Sequence, residues 1–142
     1  MSTSTASRSA RVSRKSRNDV ENRVRRAVAA AEGRQAVDLR VLGLGEVSDF
    51  TDYFVVCSGA SERQVQAIAD TVEETLREAG VRPLHVEGRR GGNWVLLDYG
   101  AFVVHVFQDE TRRFYALERL WSDAPEVTSR FHEELRRSSR PG

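Results

Sequence analysis

The stretch W94-V-L-L-D-Y-G-A-F-V-V-H-V-F107 decides the fold of this chain. It predicts two strands joined at Gly100, because apolar residues run on both sides of a glycine, as they do in a β-hairpin. A two-residue loop at Gly100-Ala101 would pair Trp94 with Phe107, Leu96 with His105, Asp98 with Val103 and Tyr99 with Phe102. A loop one residue longer or shorter would exchange these partners, so the assignment depends on the loop length.

The two faces of this hairpin differ in character, because side chains alternate between faces along a strand. One face is almost wholly apolar and comprises Val95, Leu97, Tyr99, Phe102, Val104 and Val106. The other mixes large aromatic residues with a carboxylate and an imidazole, and it comprises Trp94, Leu96, Asp98, Val103, His105 and Phe107. The first face predicts a core beneath a helix. The second is either a recognition surface or a place where Trp94 and Phe107 complete a core, and the pattern alone favours neither.

Length and composition indicate a single domain with its own core. The 142 residues carry a net charge of +1, and no run approaches the roughly 20 apolar residues of a membrane span. No apolar segment of a secretory signal follows the N-terminus. Cys57, the one cysteine, lies in an apolar run, so we expect a buried thiol in a reducing compartment and not a nucleophile. We therefore expect a cytoplasmic protein that does not contact a membrane.

The spacing of apolar residues predicts helices and strands around the hairpin. The second helix has the clearest signals, with Ser61 as N-cap, Gln64 at the capping-box position and Gly80 as its stop. Its buried stripe is expected to comprise Val65, Ile68, Ala69, Val72, Leu76 and Ala79. The other expected elements are a helix from Asn18 or Asp19 to Gly33, strands at Val37–Leu44, Tyr53–Cys57 and Leu84–Val86, and a helix at Asp109–Trp121. The second helix is expected to cross between strands in a βαβ-like unit.

Both ends of the chain differ in composition from the body, which we expect to span residues 18–125. Residues 1–17 hold five basic side chains and no acid, so they cannot bury enough apolar area to order, and we predict a disordered extension. This composition is also typical of organelle transit peptides. Residues 126–142 are predicted to form a similar basic tail. Contacts of either tail with RNA phosphates would be non-specific and would weaken with salt, and a dispensable extension explains the composition equally well.

The sequence shows no arrangement that points to catalysis. Nucleotidyl transfer needs neighbouring carboxylates on one strand, and no predicted strand holds Asp-x-Asp or Asp-x-Glu. Gly59-Ala60-Ser61 opens a helix as anion-binding loops do, but it lacks the dinucleotide and P-loop patterns, and a structural cap explains Ser61. Asp98 and His105 lie diagonally on one face, where an exposed polar pair or an interface hydrogen bond is favoured over a catalytic pair. We expect no cofactor and no metal.

Three segments in order resemble the ribosomal silencing factor family, also called the Iojap family. They are Thr51–Gly59 continuing through Ser61, Arg63–Val65 and Ala67–Ala69; Glu87-Gly88 followed by Trp94–Gly100 and Val103–Phe107; and Arg113, Tyr115, Leu117-Glu118, Leu120-Trp121 and Asp123–Pro125. The resemblance covers roughly residues 18–125. Ala101 is a departure, because the family usually has an acidic residue there, which puts charge matching at the hairpin tip in doubt.

The resemblance implies an α/β domain with a mixed sheet of about five strands flanked by helices, similar in shape to nucleotidyltransferases but without their catalytic carboxylates. It also implies a non-enzymatic protein that binds the large ribosomal subunit through ribosomal protein L-fourteen, blocks subunit association and so represses translation. Family members are often dimers when free, so the resemblance implies a homodimer as well. The predicted interaction residues are Trp94, Asp98, Tyr99, His105, Phe107, Arg112 and Tyr115. The alternatives are a nucleotide-binding or nucleotidyltransferase-type enzyme using Ser58–Ser61, and an RNA chaperone acting through the tails.

Overall fold

A computed structural model describes residues 14–45, 48–110 and 124–131. Its elements are α1 (Arg14–Gly33), β1 (Val37–Gly43), β2 (Tyr53–Gly59), α2 (Glu62–Glu78), β3 (His85–Glu87), β4 (Trp94–Asp98) and β5 (Phe102–Gln108). The strands form one mixed sheet in the order β1-β2-β5-β4-β3. Strands β2 and β5 run parallel, and the other neighbouring pairs are antiparallel. The sheet and its helices confirm the predicted α/β class, including the helical crossover from β2 to β3.

The β4–β5 hairpin forms in the predicted register. Its cross-strand pairs are Trp94 with Phe107, Val95 with Val106, Leu96 with His105, Leu97 with Val104 and Asp98 with Val103. The turn is closed by the Tyr99 N–H, which donates to the Phe102 carbonyl at 2.9 Å. Gly100 has a φ of +83°, a conformation that glycine adopts at little steric cost, and its N–H donates to the Asp98 carboxylate at 2.8 Å. The loop length therefore fixes which side chains face the helices.

Helices α1 and α2 cover one face of the sheet. The core beneath them contains the whole apolar face of the hairpin, as predicted: Val95, Leu97, Tyr99, Phe102, Val104 and Val106. Helix α2 contributes Val65, Ile68, Ala69, Val72 and Leu76 from one stripe. Ala79, which we placed in that stripe, is instead the exposed C-cap residue, because α2 ends at Glu78.

The start of α2 is tied to the turn that follows α1 by one glutamine. The Ser61 hydroxyl accepts the Gln64 N–H at 3.1 Å, which confirms Ser61 as the N-cap. The Gln64 side-chain oxygen accepts the N–H of Ala60 at 2.7 Å, one residue earlier than in a standard capping box. Its amide nitrogen donates to the carbonyls of Arg34 and Gln35. The Gln64 side chain thus joins two segments of backbone, the residue before the cap and the turn after α1.

The first helix starts earlier than the sequence predicts. Helix α1 begins at Arg14, so the start at Asn18 or Asp19 is wrong, and residues 14–17 of the predicted disordered extension are helical. Arg and Lys favour helices, and Asn or Asp inside a helix costs at most about 0.7 kcal/mol, so a capping residue does not force a start. Residues 1–13 lie outside the described residues. No helix in the described ranges is long and apolar enough to cross a membrane.

Residues 124–131 form a segment, here called the C-terminal strap, that packs along the outer edge of β1. The Gly43 N–H donates to the Pro125 carbonyl at 2.9 Å, and the Val127 N–H donates to the Val41 carbonyl at 2.8 Å. The Thr128 hydroxyl accepts the Val41 N–H at 2.8 Å. The strap satisfies backbone groups that an edge strand would otherwise leave open. The chain thus continues to pack on the sheet beyond residue 125, where we expect the body to end.

The end of the strap is anchored by Phe131, which is 1% exposed and belongs to the core beneath the helices. The Tyr53 ring meets it edge to face at 5.9 Å, and the guanidinium groups of Arg25 and Arg130 lie 5.6 and 5.9 Å from its centroid. Glu21 accepts hydrogen bonds from the Tyr53 hydroxyl at 3.1 Å and from Arg130 at 2.8 Å. Burial and the nearby Glu21 carboxylate raise the pKa of Tyr53.

Replacement of Phe131 tests whether the strap is part of the folded body. We expect Phe131→Ala to lower the free energy of unfolding by about 3 to 5 kcal/mol, because it removes a buried ring and leaves a cavity. Leu84→Ala is the control, because Leu84 is 77% exposed and its loss should change stability by no more than about 0.5 kcal/mol. Urea denaturation followed by far-UV circular dichroism measures both. A Phe131→Ala variant as stable as the control would show that the strap is not needed for folding.

The connection between β3 and β4 gives a second test of the fold. Gly88 has a φ of +81°, and a Cβ added to it would collide with the Trp94 carbonyl oxygen, which is backbone and cannot move aside. We expect Gly88→Ala to destabilise the protein by about 2 kcal/mol or more. Gly91→Ala is the matched control, because a Cβ at Gly91 meets no atom within 4 Å. Equal thermal midpoints for the two variants would contradict the conformation of this loop.

Candidate functional site

The face of the sheet opposite the helices carries a second apolar cluster. Its buried members are Leu42, Leu44, Phe54, Val56, Val103 and Phe107, and Trp94, Leu96 and Ala124 pack against it while partly buried. Phe107 is fully buried, so for this residue the core interpretation of the hairpin's second face is correct. Trp94 lies at the margin of the cluster, between buried and exposed side chains.

That margin extends to the edge of the sheet, where β3 pairs with β4. The register sets His85 opposite Asp98 and Glu87 opposite Leu96. Val86 packs into the core beneath the helices, so His85 and Glu87 point to the other face, which Leu96 and Asp98 share. We call the group His85, Glu87, Trp94, Leu96 and Asp98 the β3–β4 surface.

Two members of this surface, His85 and Glu87, were missed by the sequence analysis. Their side chains are 58% and 65% exposed, and His85 Nε2 lies 2.7 Å from a Glu87 carboxylate oxygen. The signal that could have identified them is the alternation around Val86, which makes it the inward residue of a three-residue strand. The pairing of so short a strand with β4 is not readable from the sequence.

The polar and apolar groups of the β3–β4 surface have fixed positions. Asp98 is partly buried, and its carboxylate is held by the Gly100 N–H at 2.8 Å. Leu96 lies between Trp94 and Asp98 along β4 and is partly buried as well. Two carboxylates beside an aliphatic and an aromatic side chain are complementary to a basic protein partner.

Trp94 is oriented from beneath by two buried rings. Its indole N–H donates to Nδ1 of His105 at 3.1 Å, and its ring stacks on Phe107 with centroids 4.8 Å apart. His105 is 4% exposed, and its burial lowers its pKa to about 4, so it is neutral near pH 7. Of the two interpretations that the sequence favours for Asp98 and His105, the exposed polar pair is wrong, because His105 is buried and bonded to Trp94.

The seven predicted interaction residues do not all lie on one surface. Trp94 and Asp98 lie on the β3–β4 surface, and His105 and Phe107 support that surface from beneath. Tyr99 is 9% exposed, stacks on Phe102 at 4.8 Å and belongs to the core beneath the helices, where burial raises its pKa to about 12. Arg112 and Tyr115, like most of the third predicted helix, lie outside the described residues, and only Asp109 and Glu110 of that helix are described, both helical.

The loop proposed for the alternative enzyme, Ser58–Ser61, takes part in the N-terminal cap of α2. The N–H of Ala60 and that of Gln64 bond to side chains of the same capping arrangement, and the Val65 N–H donates to the Ser61 carbonyl at 2.9 Å. Ser58 and Cys57 are buried. Within the described ranges, no group of three or more His, Cys, Asp or Glu side chains is arranged to hold a metal ion. The loop is built as a helix cap.

Comparison with known proteins identifies relatives of this chain. The family described as "Ribosomal silencing factor during starvation" matches residues 17–141. A relative from Bacillus subtilis, "Ribosomal silencing factor RsfS", is 42% identical over 99 residues, which cover 70% of this chain and 84% of that protein. A protein of the same name from Halalkalibacterium halodurans is 42% identical over 101 residues, covering 71% of this chain and 86% of its own.

A solved structure agrees in fold as well. The crystal structure of a protein from Chromobacterium violaceum superposes with a TM-score of 0.70 at 35% sequence identity, covering 72% of this chain and 85% of its own. The match to the family spans most of the sequence, and the relatives are covered over most of their length. This chain belongs to the ribosomal silencing factor family.

Proposed function

We propose that this chain binds the large ribosomal subunit through ribosomal protein L-fourteen, prevents the small subunit from joining, and represses translation without catalysing a reaction. The observation that carries the proposal is the β3–β4 surface, where a rigidly held tryptophan and an aliphatic side chain lie beside two carboxylates. The bacterial relatives and their names support a ribosome-associated protein of the bacterial cytoplasm.

The chemistry of this surface fits a ribosomal protein as partner. Proteins that contact RNA phosphates carry many Lys and Arg side chains, so Asp98 and Glu87 provide opposite charge. Tryptophan is among the residues that most often dominate binding energy at protein interfaces, and Trp94 is the aromatic member of the β3–β4 surface. Charge would then guide the encounter, and the Trp94–Leu96 pair would supply the apolar contact.

A steric mechanism requires a rigid body and no reactive group. Strand β4 is bonded on both sides, and the connection before it contains Gly88, which is packed tightly on the Trp94 backbone. The internal use of the Ala60 N–H weakens the nucleotide alternative, since an anion at this donor would have to displace the Gln64 side chain. We further propose that the tails make only non-specific RNA contacts, on their basic composition, and that the free protein forms a homodimer, on the family resemblance alone.

Replacement of two residues of the β3–β4 surface tests the proposal. We expect Trp94→Ala and Asp98→Arg each to weaken binding to purified large subunits by about thirtyfold or more, since loss of a central anchor typically costs about 2 kcal/mol. Glu78→Arg is the matched control for charge, because Glu78 is exposed on α2, on the opposite side of the sheet. Co-sedimentation with large subunits and a subunit-joining assay measure the effects.

Two outcomes would contradict the proposal. If folded Trp94→Ala and Asp98→Arg block subunit joining at the concentration at which the wild type does, the β3–β4 surface is not the docking site. If calorimetry shows tight binding of ATP with Mg²⁺ while the protein fails to sediment with large subunits, the nucleotide alternative replaces the ribosomal one. Glu78→Arg is expected to behave as the wild type in both assays.

A further inference from the structure

We propose that His105 is a positioning residue, whose Nδ1 atom holds the Trp94 indole in the one orientation that docks on the partner. The inference deepens the proposed function and rests on it for the docking step. The orientation of the ring itself is a property of the free protein and can be tested without a ribosome.

Two independent contacts restrict the indole. Stacking on Phe107, with centroids 4.8 Å apart and planes inclined by 26°, sets the plane of the Trp94 ring. The 3.1 Å hydrogen bond to His105 Nδ1 sets its rotation within that plane. The His105 ring is itself nearly parallel to Phe107, at 12° and 6.2 Å, and it meets Phe54 edge to face at 4.5 Å. The acceptor is therefore fixed from two sides before it orients Trp94.

The hydrogen bond requires one protonation state of the imidazole. Because Nδ1 accepts from the indole, the proton of the neutral ring is on Nε2. Protonation of His105 would place a proton on Nδ1, which would then face the indole N–H as a second donor. The hydrogen bond would be lost. Burial keeps the pKa of His105 at about 4, so the accepting form is present at neutral pH. The hydrogen bond from the Trp94 indole to His105 should therefore persist to a pH far below the ordinary pKa of histidine.

The charged and titratable groups on this face are few among the described residues. By strand alternation they are Arg40 on β1, His85 and Glu87 on β3, Asp98 on β4 and Glu126 on the C-terminal strap, whereas β2 presents Phe54, Val56 and Ser58. Arg40 pairs with Glu126 and with Asp38, each at 3.6 Å. Asp98 is the diagonal neighbour of His105, but its carboxylate is turned towards the Gly100 N–H. Burial is therefore the main cause of the lowered pKa of His105.

A purely structural role does not explain an imidazole at this position. Its Nε2 is buried and has no hydrogen-bond partner in the described parts of the chain. A buried unpaired N–H is unfavourable, so an aliphatic residue of similar size would serve the core better. What an aliphatic residue cannot do is accept the indole N–H. We therefore assign a function to Nδ1 of His105 as the acceptor of the indole N–H.

Two substitutions separate the acceptor from the bulk of the side chain. In His105→Asn the amide oxygen occupies the place of Nδ1 and can accept the indole N–H, whereas His105→Leu fills similar volume without an acceptor. The chain has only two tryptophans, Trp94 and Trp121, so its ¹⁵N–¹H indole spectrum is simple, and the signal absent in Trp94→Phe is that of Trp94. We expect slow solvent exchange of this signal in the wild type and in His105→Asn, and fast exchange in His105→Leu.

Binding to purified large subunits is the second measurement. We expect His105→Leu to bind about tenfold more weakly than the wild type, as for loss of one hydrogen bond, and His105→Asn to restore most of the difference. Acid titration adds a third: the protected indole signal of the wild type is expected to disappear near pH 4, and that of His105→Asn to show no transition there. This titration keeps the proposal testable if His105→Leu does not fold.

The outcomes distinguish this inference from the proposed function. Unchanged indole exchange in His105→Leu, or a wild-type indole signal that ignores the titration near pH 4, would show that His105 does not hold the ring. If His105→Leu shows fast indole exchange but binds large subunits as tightly as the wild type, the orientation of the ring is not used in docking. The proposed docking site would not be affected by that result. Wild-type binding by Trp94→Ala would instead remove the proposed docking site, whatever the indole spectrum shows.

Discussion

The pairing of β4 with β5 across a two-residue turn is the constraint on which the rest of this structure depends. A strand has two faces, and its register decides which side chains share each face. The hydrogen bonds that close the turn at Gly100 and Phe102 send one set of residues beneath α1 and α2 and the other set to the opposite face. A loop changed by one residue would exchange core and surface along one of the strands.

The consequence is a sheet with two different faces. One is covered by two helices and closed by the C-terminal strap, whose Phe131 reaches the same core. The other holds a smaller apolar cluster with a polar margin at β3 and β4. The mixed character of that margin comes from strand alternation, since Asp98 on β4 follows Leu97, which packs in the core beneath the helices. The docking function proposed for this margin therefore uses side chains that face away from the core beneath the helices.

Local signals made part of this structure predictable. The Gly at the turn and the period-2 pattern gave the hairpin register, and Ser61 with Gly80 gave the limits of α2, because caps act within a few residues. Contacts between distant parts of the chain were not predictable. The strap bonds to β1 across 87 residues, from Thr128 to Val41, and nothing near Thr128 indicates its partner. The same holds for the candidate site, where Trp94 and Asp98 were foreseen but the pairing of His85 and Glu87 with β4 was not.

The strap also bears on how copies of this chain can meet. A sheet usually associates through an exposed edge strand, which offers a row of open N–H and C=O groups. Here β1 is occupied along its outer side and interrupted by an irregularity between Val37 and Arg40. The opposite border, β3, is only three residues long and carries a charged Glu87. Lateral growth into a continuous intermolecular sheet, the common route from native β-proteins to aggregates, is thus hindered at both borders of the described sheet.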